Sequence, residues 1–391
     1  LKQVAVRLGD CLHAAADQAA AVSPPLISRF AGDEFTAFLP QMTSRHAIKG
    51  ICGQILAALC KPFRCDGRDI SISASIGVTM FPDDGKDYET LLKRADLAMY
   101  TVKTAGRRRV HFYSSGLERR AFDRLTLECE LRLALQDRQF DVFYQPIVSC
   151  AEGRIVGAEA LVRWHHPVRG LLAPADFLAN AEETGLLVDL GWYVLEQASR
   201  DAVKFAAAGD SLPISVNVSA VQFDRADFAE RVLAILLATG MPLELLVLEL
   251  TEATAMRDPK AAIARLLPLR KKGLRFAVDD FGVGYSSLSY LSRLPIDTLK
   301  IDKSFINTLQ DGVDNEVMVT TIQRMAEGLR LETVAEGVET EAQFLFCRDC
   351  GVTAAQGLLF SAPLPQREFA KLLRNFRLRD RLSPSSVAAV A

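Results

Sequence analysis

Acidic and amide side chains recur at the ends of apolar, strand-like runs in this chain. Glu159 begins Glu159-Ala160-Leu161, Asn217 closes Ile214-Ser215-Val216, and Glu249 closes Leu245-Leu246-Val247-Leu248. Asp279 and Asp280 close Arg275-Phe276-Ala277-Val278, Lys300 sits in Leu299-Lys300-Ile301-Asp302, and Glu336 and Glu339 follow Thr333-Val334-Ala335. A charged group facing a core is costly unless it is paired or holds a metal, so this recurrence calls for a chemical explanation. A set of oxygen donors with one lysine suits hard divalent cations acting on a phosphodiester.

The elements that must position these groups are legible from periodicity. From Phe140 onward, strand-like runs at 140–144, 155–161, 214–218, 245–250, 275–278, 298–301, 333–335 and 354–359 alternate with helical patterns such as 228–238, 260–271, 315–329 and 366–376. Such alternation implies a mostly parallel sheet with crossover helices, and its length favours a TIM-like (β/α)8 barrel over an open sheet. The polar residues then fall at the C-terminal strand ends, where barrel active sites lie. Neighbouring strand side chains point to opposite faces, so Asp279 and Asp280 share a site only if the strand ends there. The glycines of Phe281-Gly282-Val283-Gly284 supply the exit.

Residues 1–112 read as a separate, partial α/β domain: a helix, a hairpin around Ala31-Gly32-Asp33-Glu34-Phe35, a helix over 44–60, a strand over 70–79 and a helix ending near Lys103. A linker is expected over 113–122, the barrel over 123–375 and a tail over 376–391. A helix over 117–136 carries apolar residues at Leu125, Leu127, Leu131, Leu133 and Leu135 and should pack on the domain that comes after it.

Composition sets bounds. The 391 residues are 49% hydrophobic, ample for a core. A formal charge of −2 argues against binding a nucleic-acid polymer. No apolar run is long enough to cross a bilayer and no secretory signal opens the chain, so no membrane contact is expected from this segment. The first residue is Leu1, which suggests a piece of a longer chain, one that an upstream segment could anchor to a membrane. The eight cysteines are scattered, consistent with reduced thiols and a cytoplasmic location. Cys347 and Cys350 are read as two thiols on one helix face, and His165-His166 as surface or rim residues.

At this point the motifs carry a resemblance. Glu159-Ala160-Leu161-Val162-Arg163-Trp164, Val216-Asn217-Val218-Ser219, Glu249-Leu250-Thr251-Glu252 and Asp279-Asp280-Phe281-Gly282-Val283-Gly284 resemble the EAL family, phosphodiesterases of the bacterial second messenger cyclic di-GMP. Leu299-Lys300-Ile301-Asp302-Lys303, Ala335-Glu336-Gly337-Val338-Glu339 and Gln356-Gly357 extend the likeness. The resemblance implies one Mg²⁺ or Mn²⁺ held by Glu159, Asn217, Glu249 and Asp279, and a second held by Asp279, Asp280 and Glu336, with Gln356 on its water shell. It implies that Lys300 orients the attacking water, that Glu339 pairs with Lys300, and that Arg163, Leu161 and Asp302 contact substrate, Arg163 on the non-scissile phosphate. Glu252 would anchor the loop after Asp280, which the family uses to couple homodimer contact to metal binding. The implied reaction yields linear 5′-pGpG and is inhibited by Ca²⁺. Leu358 stands where the family usually has an aromatic residue.

The upstream part is similar to the back half of a GGDEF (diguanylate cyclase) domain. Gly32, Asp33, Glu34 and Phe35 fall on its signature, with Ala31 in place of the first glycine, and Lys103 and Arg107 on phosphate contacts. The family's first metal aspartate would lie before Leu1, and its inhibitory Arg-x-x-Asp would fall on Val22-Ser23-Pro24-Pro25. This part is therefore expected to be regulatory or inactive as given. Two rival readings remain for the barrel: a non-catalytic cyclic di-GMP receptor, and a different metal-dependent hydrolase on the same scaffold.

Overall fold

The computed structural model describes residues 1–18, 23–65, 68–104, 109–284, 288–309, 313–378 and 382. The chain divides into two compact units, Leu1–Thr126 and Leu127–Ala391. The division falls inside one helix, Ser115–Gln136, so most of 113–122 is helical.

In the first unit, helices Lys2–Gln18 and Arg45–Leu59 bury Leu8, Leu12, Ile51, Ile55 and Leu59 against Phe63. Ser44 starts the second helix by accepting a hydrogen bond from the amide of Ala47. The hairpin pairs Leu26–Ala31 with Glu34–Phe38, and Gly32 makes its turn at φ 49°. The expected strand over 70–79 is instead two short pieces, Arg68–Ile70 and Ile76–Val78. Ile76–Val78 pairs in parallel with Val110–Phe112, and helix Tyr88–Thr104 packs against it. A Cβ at Gly77 would lie 1.9 Å from the Ala95 carbonyl, which is how closely that helix approaches. The side chain of Lys103, and the whole of Arg107, lie outside the described residues.

The second unit is a closed barrel of eight strands: β1 (Phe140–Ser149), β2 (Ile155–His166), β3 (Ile214–Asn217), β4 (Leu246–Thr251), β5 (Arg275–Phe281), β6 (Thr298–Ile301), β7 (Glu332–Ala335) and β8 (Ala354–Gln356). Neighbours from β2 round to β8 run parallel. The first strand departs from a uniform (β/α)8 pattern: β1 lies antiparallel between β2 and β8 and closes the ring. A tight β1–β2 hairpin makes this possible, because antiparallel neighbours need no crossover helix.

Long helices such as Leu187–Ala207 and Phe228–Thr239 cover the outside and bury Trp192, Leu195, Phe205, Phe228 and Val232. Along Ser115–Gln136, Leu127, Leu131 and Ala134 face the barrel, but Leu133 is exposed. The buried stripe thus follows helical spacing and leaves Leu133 outside it. His166 is not on the surface. It is buried against Trp164, with its ring nitrogen Nε2 3.2 Å from Glu130 on that helix, whereas His165 is exposed. Cys347 is buried and Cys350 half-buried at the end of helix Glu341–Asp349.

Inside the barrel, five strands show two levels two residues apart, as strand alternation requires. The upper level carries Glu159, Glu249, Asp279, Lys300 and Gln356. The lower level carries Gly157, Val247, Ala277, Thr298 and Ala354.

Candidate active site

Lys300 organises the barrel mouth. Only 1% of its side chain is exposed, yet its ammonium Nζ lies 2.5 Å from Glu336, 2.7 Å from Glu249, 3.3 Å from Asp279 and 3.4 Å from Glu159. Four strands and the segment after a fifth deliver these groups to one point. Burial alone would push the Lys300 ammonium toward losing its proton, but the surrounding carboxylates hold its pKa well above the usual lysine value. The acids are strained in the opposite sense. Burial and neighbouring negative charge raise Glu249 well above the carboxylate range, raise Asp280, and bring Glu336 to about 8. One ammonium does not offset five clustered carboxylates.

Amides extend the cluster. Asn217 Nδ2 donates to Glu159 Oε1 at 2.6 Å. Gln356 Nε2 donates to Glu159 Oε2 at 2.6 Å and to Gln145 Oε1 at 3.0 Å. These contacts use the N–H groups of both amides and not their carbonyl oxygens. Gln356 Oε1 is buried with no protein partner.

The Asp279–Asp280 pair is built differently from the expected strand ending. The strand β5 continues to Phe281, but its register against β6 shifts between Val278 and Phe281, and Asp280 adopts φ 53°. This bulge, not an exit by glycine, turns both carboxylates to one side. Asp279, Asp280 and Glu336 each offer an oxygen within 4.8 Å of the others. Gly282 follows at φ 101°, with its amide donating to Glu252 Oε2 at 2.9 Å. Residues 285–287 of the expected loop lie outside the described residues.

An open cavity of about 280 Å³ sits over this cluster, lined among others by Glu159, Leu161, Asp279, Glu336, Glu339 and Gln356. Arg163 lies farther along β2, half-buried beside the ring of Phe143, with Nη1 donating to the Val162 carbonyl at 2.8 Å. Burial lowers its pKa from the ordinary arginine value. Asp302 caps helix Lys303–Asn307, accepting from the Ser304 amide at 2.9 Å.

The expected Lys300–Glu339 pair is not formed: among the described residues Lys300 pairs with Glu159, Glu249, Asp279 and Glu336. Glu339 is held by its backbone, whose amide donates to Gln343 Oε1 at 2.8 Å beside the capping turn at Thr340. Glu159 lies within β2 and not at its end, since that strand runs on to His166 to pair with β1.

The sequence reading missed Gln145, Lys303 and Gly337, which also line the cavity. Gln145 carried the same signal as the others, a polar residue inside an apolar run. At the other end of the chain, Asp33 and Glu34 follow the hairpin turn, where Arg29 Nε donates to the Gly32 carbonyl at 2.9 Å.

A closed barrel with one reversed strand and an acidic, lysine-centred mouth defines a narrow class. The chain belongs to the EAL domain family, which it matches over residues 128–363. Residues 1–109 match the diguanylate cyclase GGDEF domain family. The chain is 40% identical over 353 residues to the cyclic di-GMP phosphodiesterase NbdA of Pseudomonas aeruginosa, covering 90% of this chain and 45% of that protein. It is 35% identical over 357 residues to the cyclic di-GMP phosphodiesterase PdeR of Escherichia coli, covering 90% and 53%. Among solved structures, the PaMucR phosphodiesterase in complex with c-di-GMP is similar at 43% identity and a TM-score of 0.61, covering 62% of this chain and 99% of that one. The chain spans about half the length of the curated relatives it matches. No helix among the described residues is long and apolar enough to cross a membrane.

Proposed function

We propose that the barrel hydrolyses cyclic di-GMP to linear 5′-pGpG with two divalent cations, Mg²⁺ or Mn²⁺. The observation that carries this reading is the convergence of Glu159, Glu249, Asp279 and Glu336 on one point within 3.4 Å of Lys300 Nζ. The donor set fits hard cations: it is all oxygen, its acids are held against their own repulsion, and Gln356 Oε1 lacks a partner. Glu159, Asn217, Glu249 and Asp279 would hold one ion; Asp279, Asp280 and Glu336, with Gln356 beside them, the other. Bound there, the ions would supply an acidified water and neutralise phosphate charge.

The chain's own residues do the rest. Lys300 presents N–H donors to the reacting oxygens, and its charge offsets the repulsion among the carboxylates around it. Arg163 offers a planar fork to the second phosphate, and its partial burial strengthens that contact. Leu161 supplies an apolar wall, and Lys303, on the cavity lining, a further cation for phosphate. Asp302 holds the start of the helix that presents Lys303. Glu339 lines the same cavity and is left to a substrate or ion contact. Glu252 ties Gly282, two residues beyond Asp280, to the body of the barrel.

A homodimer and a cytoplasmic site of action belong to the same reading. Exposed Val283, and exposed Val317 and Met318 on helix Val313–Leu329, support the homodimer; a Cβ placed on Gly282 would come within 3.3 Å of Ile322 on that helix. The GGDEF-like unit acts as a regulatory or inactive partner.

Chromatography of nucleotides after incubation with cyclic di-GMP and Mn²⁺ tests the proposal. The expected product is pGpG, made by the wild-type chain, blocked by Ca²⁺, and not made by Glu159→Ala. Intact substrate alongside measurable binding would make the barrel a receptor instead.

A further inference from the structure

Two amides meet at the wall of the upper cavity, Gln145 on β1 and Gln356 on β8. Hydrogen bonding fixes which way each one points. Gln145 Nε2 donates to the Ser361 carbonyl at 3.1 Å, and a carbonyl can only accept, so the Gln145 oxygen must face the other way. That oxygen accepts from Gln356 Nε2 at 3.0 Å, and the same nitrogen donates to Glu159 Oε2 at 2.6 Å. Gln356 Oε1 is thereby left buried with no partner among the described residues. The Ser361 carbonyl is a firm reference for this chain of bonds. The amides of Phe360 and Ser361 both bond the Gly357 carbonyl, and the buried Phe360 ring packs edge-on against Phe344.

The reading above, on which this inference rests, gives Glu159 to one ion and places Gln356 beside the other. A Glu159 oxygen drawn to a cation is a weaker acceptor, so metal loading itself loosens one of the two bonds that orient Gln356. Gln145 is neutral and stands outside the ligand set, so its bond to Gln356 remains. An overturned Gln356 amide would set its oxygen against the oxygens of Gln145 and Glu159, and its N–H groups toward the cations. The reversed strand is what places Gln145 for this task. As β1 runs antiparallel between two neighbours, it pairs Gln145 with Glu159 on one side and Ile147 with Gln356 on the other.

We propose that Gln145 is a positioning residue for the ion site: it relays the polarity of the Ser361 carbonyl through two amides, so that Gln356 presents its oxygen to the cation and its water. The effect of Gln145 on metal binding then runs through Gln356 alone.

A double-mutant cycle on the full chain tests this by calorimetric titration of Mn²⁺ without nucleotide, with thermal unfolding in chelator to verify folding. Gln145→Met, close to glutamine in length but without an amide, should weaken Mn²⁺ binding by about fivefold, the size of one neutral hydrogen bond. In a Gln356→Met background, with no amide left to orient, the same substitution should change affinity less than about twofold. Gln145→Ala should show the same dependence on Gln356, and carries the test alone if Gln145→Met does not fold. Equal losses in both backgrounds, the mark of a merely structural role, would overturn the relay. So would an unchanged titration in a folded variant, the result expected if Gln145 only touched substrate. Wild-type protein that binds no Mn²⁺ would overturn the metal-site reading itself, a separable failure.

Discussion

Glu252→Ala tests how the second carboxylate of the Asp279–Asp280 pair is held in place. Asp280 sits at φ 53°, a left-handed conformation that costs a residue with a side chain on the order of 1–2 kcal/mol. The restraint two residues on is the Gly282 amide bonded to Glu252 Oε2 at 2.9 Å, where Glu252 is only 4% exposed. A hydrogen bond to an ionised group contributes about 1.5–3 kcal/mol, so the anchor outweighs the strain by a narrow margin. Without it the strain wins, the bulge relaxes, and the Asp280 carboxylate leaves Asp279 and Glu336. At 1.4 kcal/mol per decade, the orientation facing its neighbours should fall in population by roughly 10- to 100-fold.

Affinity for the ion shared by Asp279, Asp280 and Glu336 should fall by that factor, since a site bound only in a minor state loses affinity in proportion to its population. Calorimetry with Mn²⁺ should show one binding step unchanged and the other lost or shifted, with turnover falling in parallel. Glu252→Gln, which keeps the shape and an uncharged acceptor, should lose only several-fold, because a neutral bond contributes about 1 kcal/mol. Gly284→Ala offers an independent route, since its Cβ would lie 2.6 Å from Glu252 Oε1 and push the carboxylate aside. The reasoning is refuted if Glu252→Ala lowers thermal stability but leaves both Mn²⁺ steps and turnover at wild-type levels.

Three further outcomes follow from the same geometry. Lys300→Met in chelator near pH 8 should cost about 3–5 kcal/mol, as expected when one partner of a buried ion cluster is removed. Unfolding should then move down by roughly 6–20 °C, and added Mg²⁺ should shrink the gap; an unshifted midpoint would contradict the counter-ion role.

Glu336, raised from 4.5 to about 8, keeps in the folded protein a proton that the unfolded chain has lost. Its contribution to stability is thus complete below about 4.5 and disappears as pH rises through about 8. Metal must expel that proton, so Mg²⁺ affinity should climb up to about tenfold per pH unit between about pH 6 and 8; proton release in buffers of different ionisation enthalpy measures it, and a flat affinity rules it out. Finally, Gly357→Ala would set a Cβ 2.1 Å from the Val338 carbonyl oxygen, which lies in backbone that cannot yield, and should displace Gln356 with loss of stability and turnover. The control Gly328→Ala, a helix position with nothing within 4 Å, should stabilise by about 0.5–1 kcal/mol. Melting curves with the same sign for both would remove the steric argument.

The barrel and the identity of its mouth residues were legible because both rest on local pattern. Short apolar runs mark strands, and polar groups at their C-terminal ends mark a mouth. What stayed hidden depends on pairing between distant segments. The reversed direction of β1 is set by which strands it meets, Ile155–His166 and Ala354–Gln356, and no single run encodes that. The bulge at Asp280 is likewise a property of the β5–β6 register, so a reading of β5 alone could only offer a strand end. Partner choice around Lys300 was misread for a similar reason. Glu339 follows Glu336 closely in sequence, but the turn capped by Gln343 fixes its backbone, while Glu336 itself and three acids from other strands are nearer the ammonium.

The two-residue offset then explains why small side chains could not be recognised as informative. Ser215, Ala277 and Thr298 look like ordinary strand residues until the ring closes and places them directly beneath Asn217, Asp279 and Lys300. Beneath the mouth these strands each contribute a second layer two residues back, and only the upper layer advertises itself by charge.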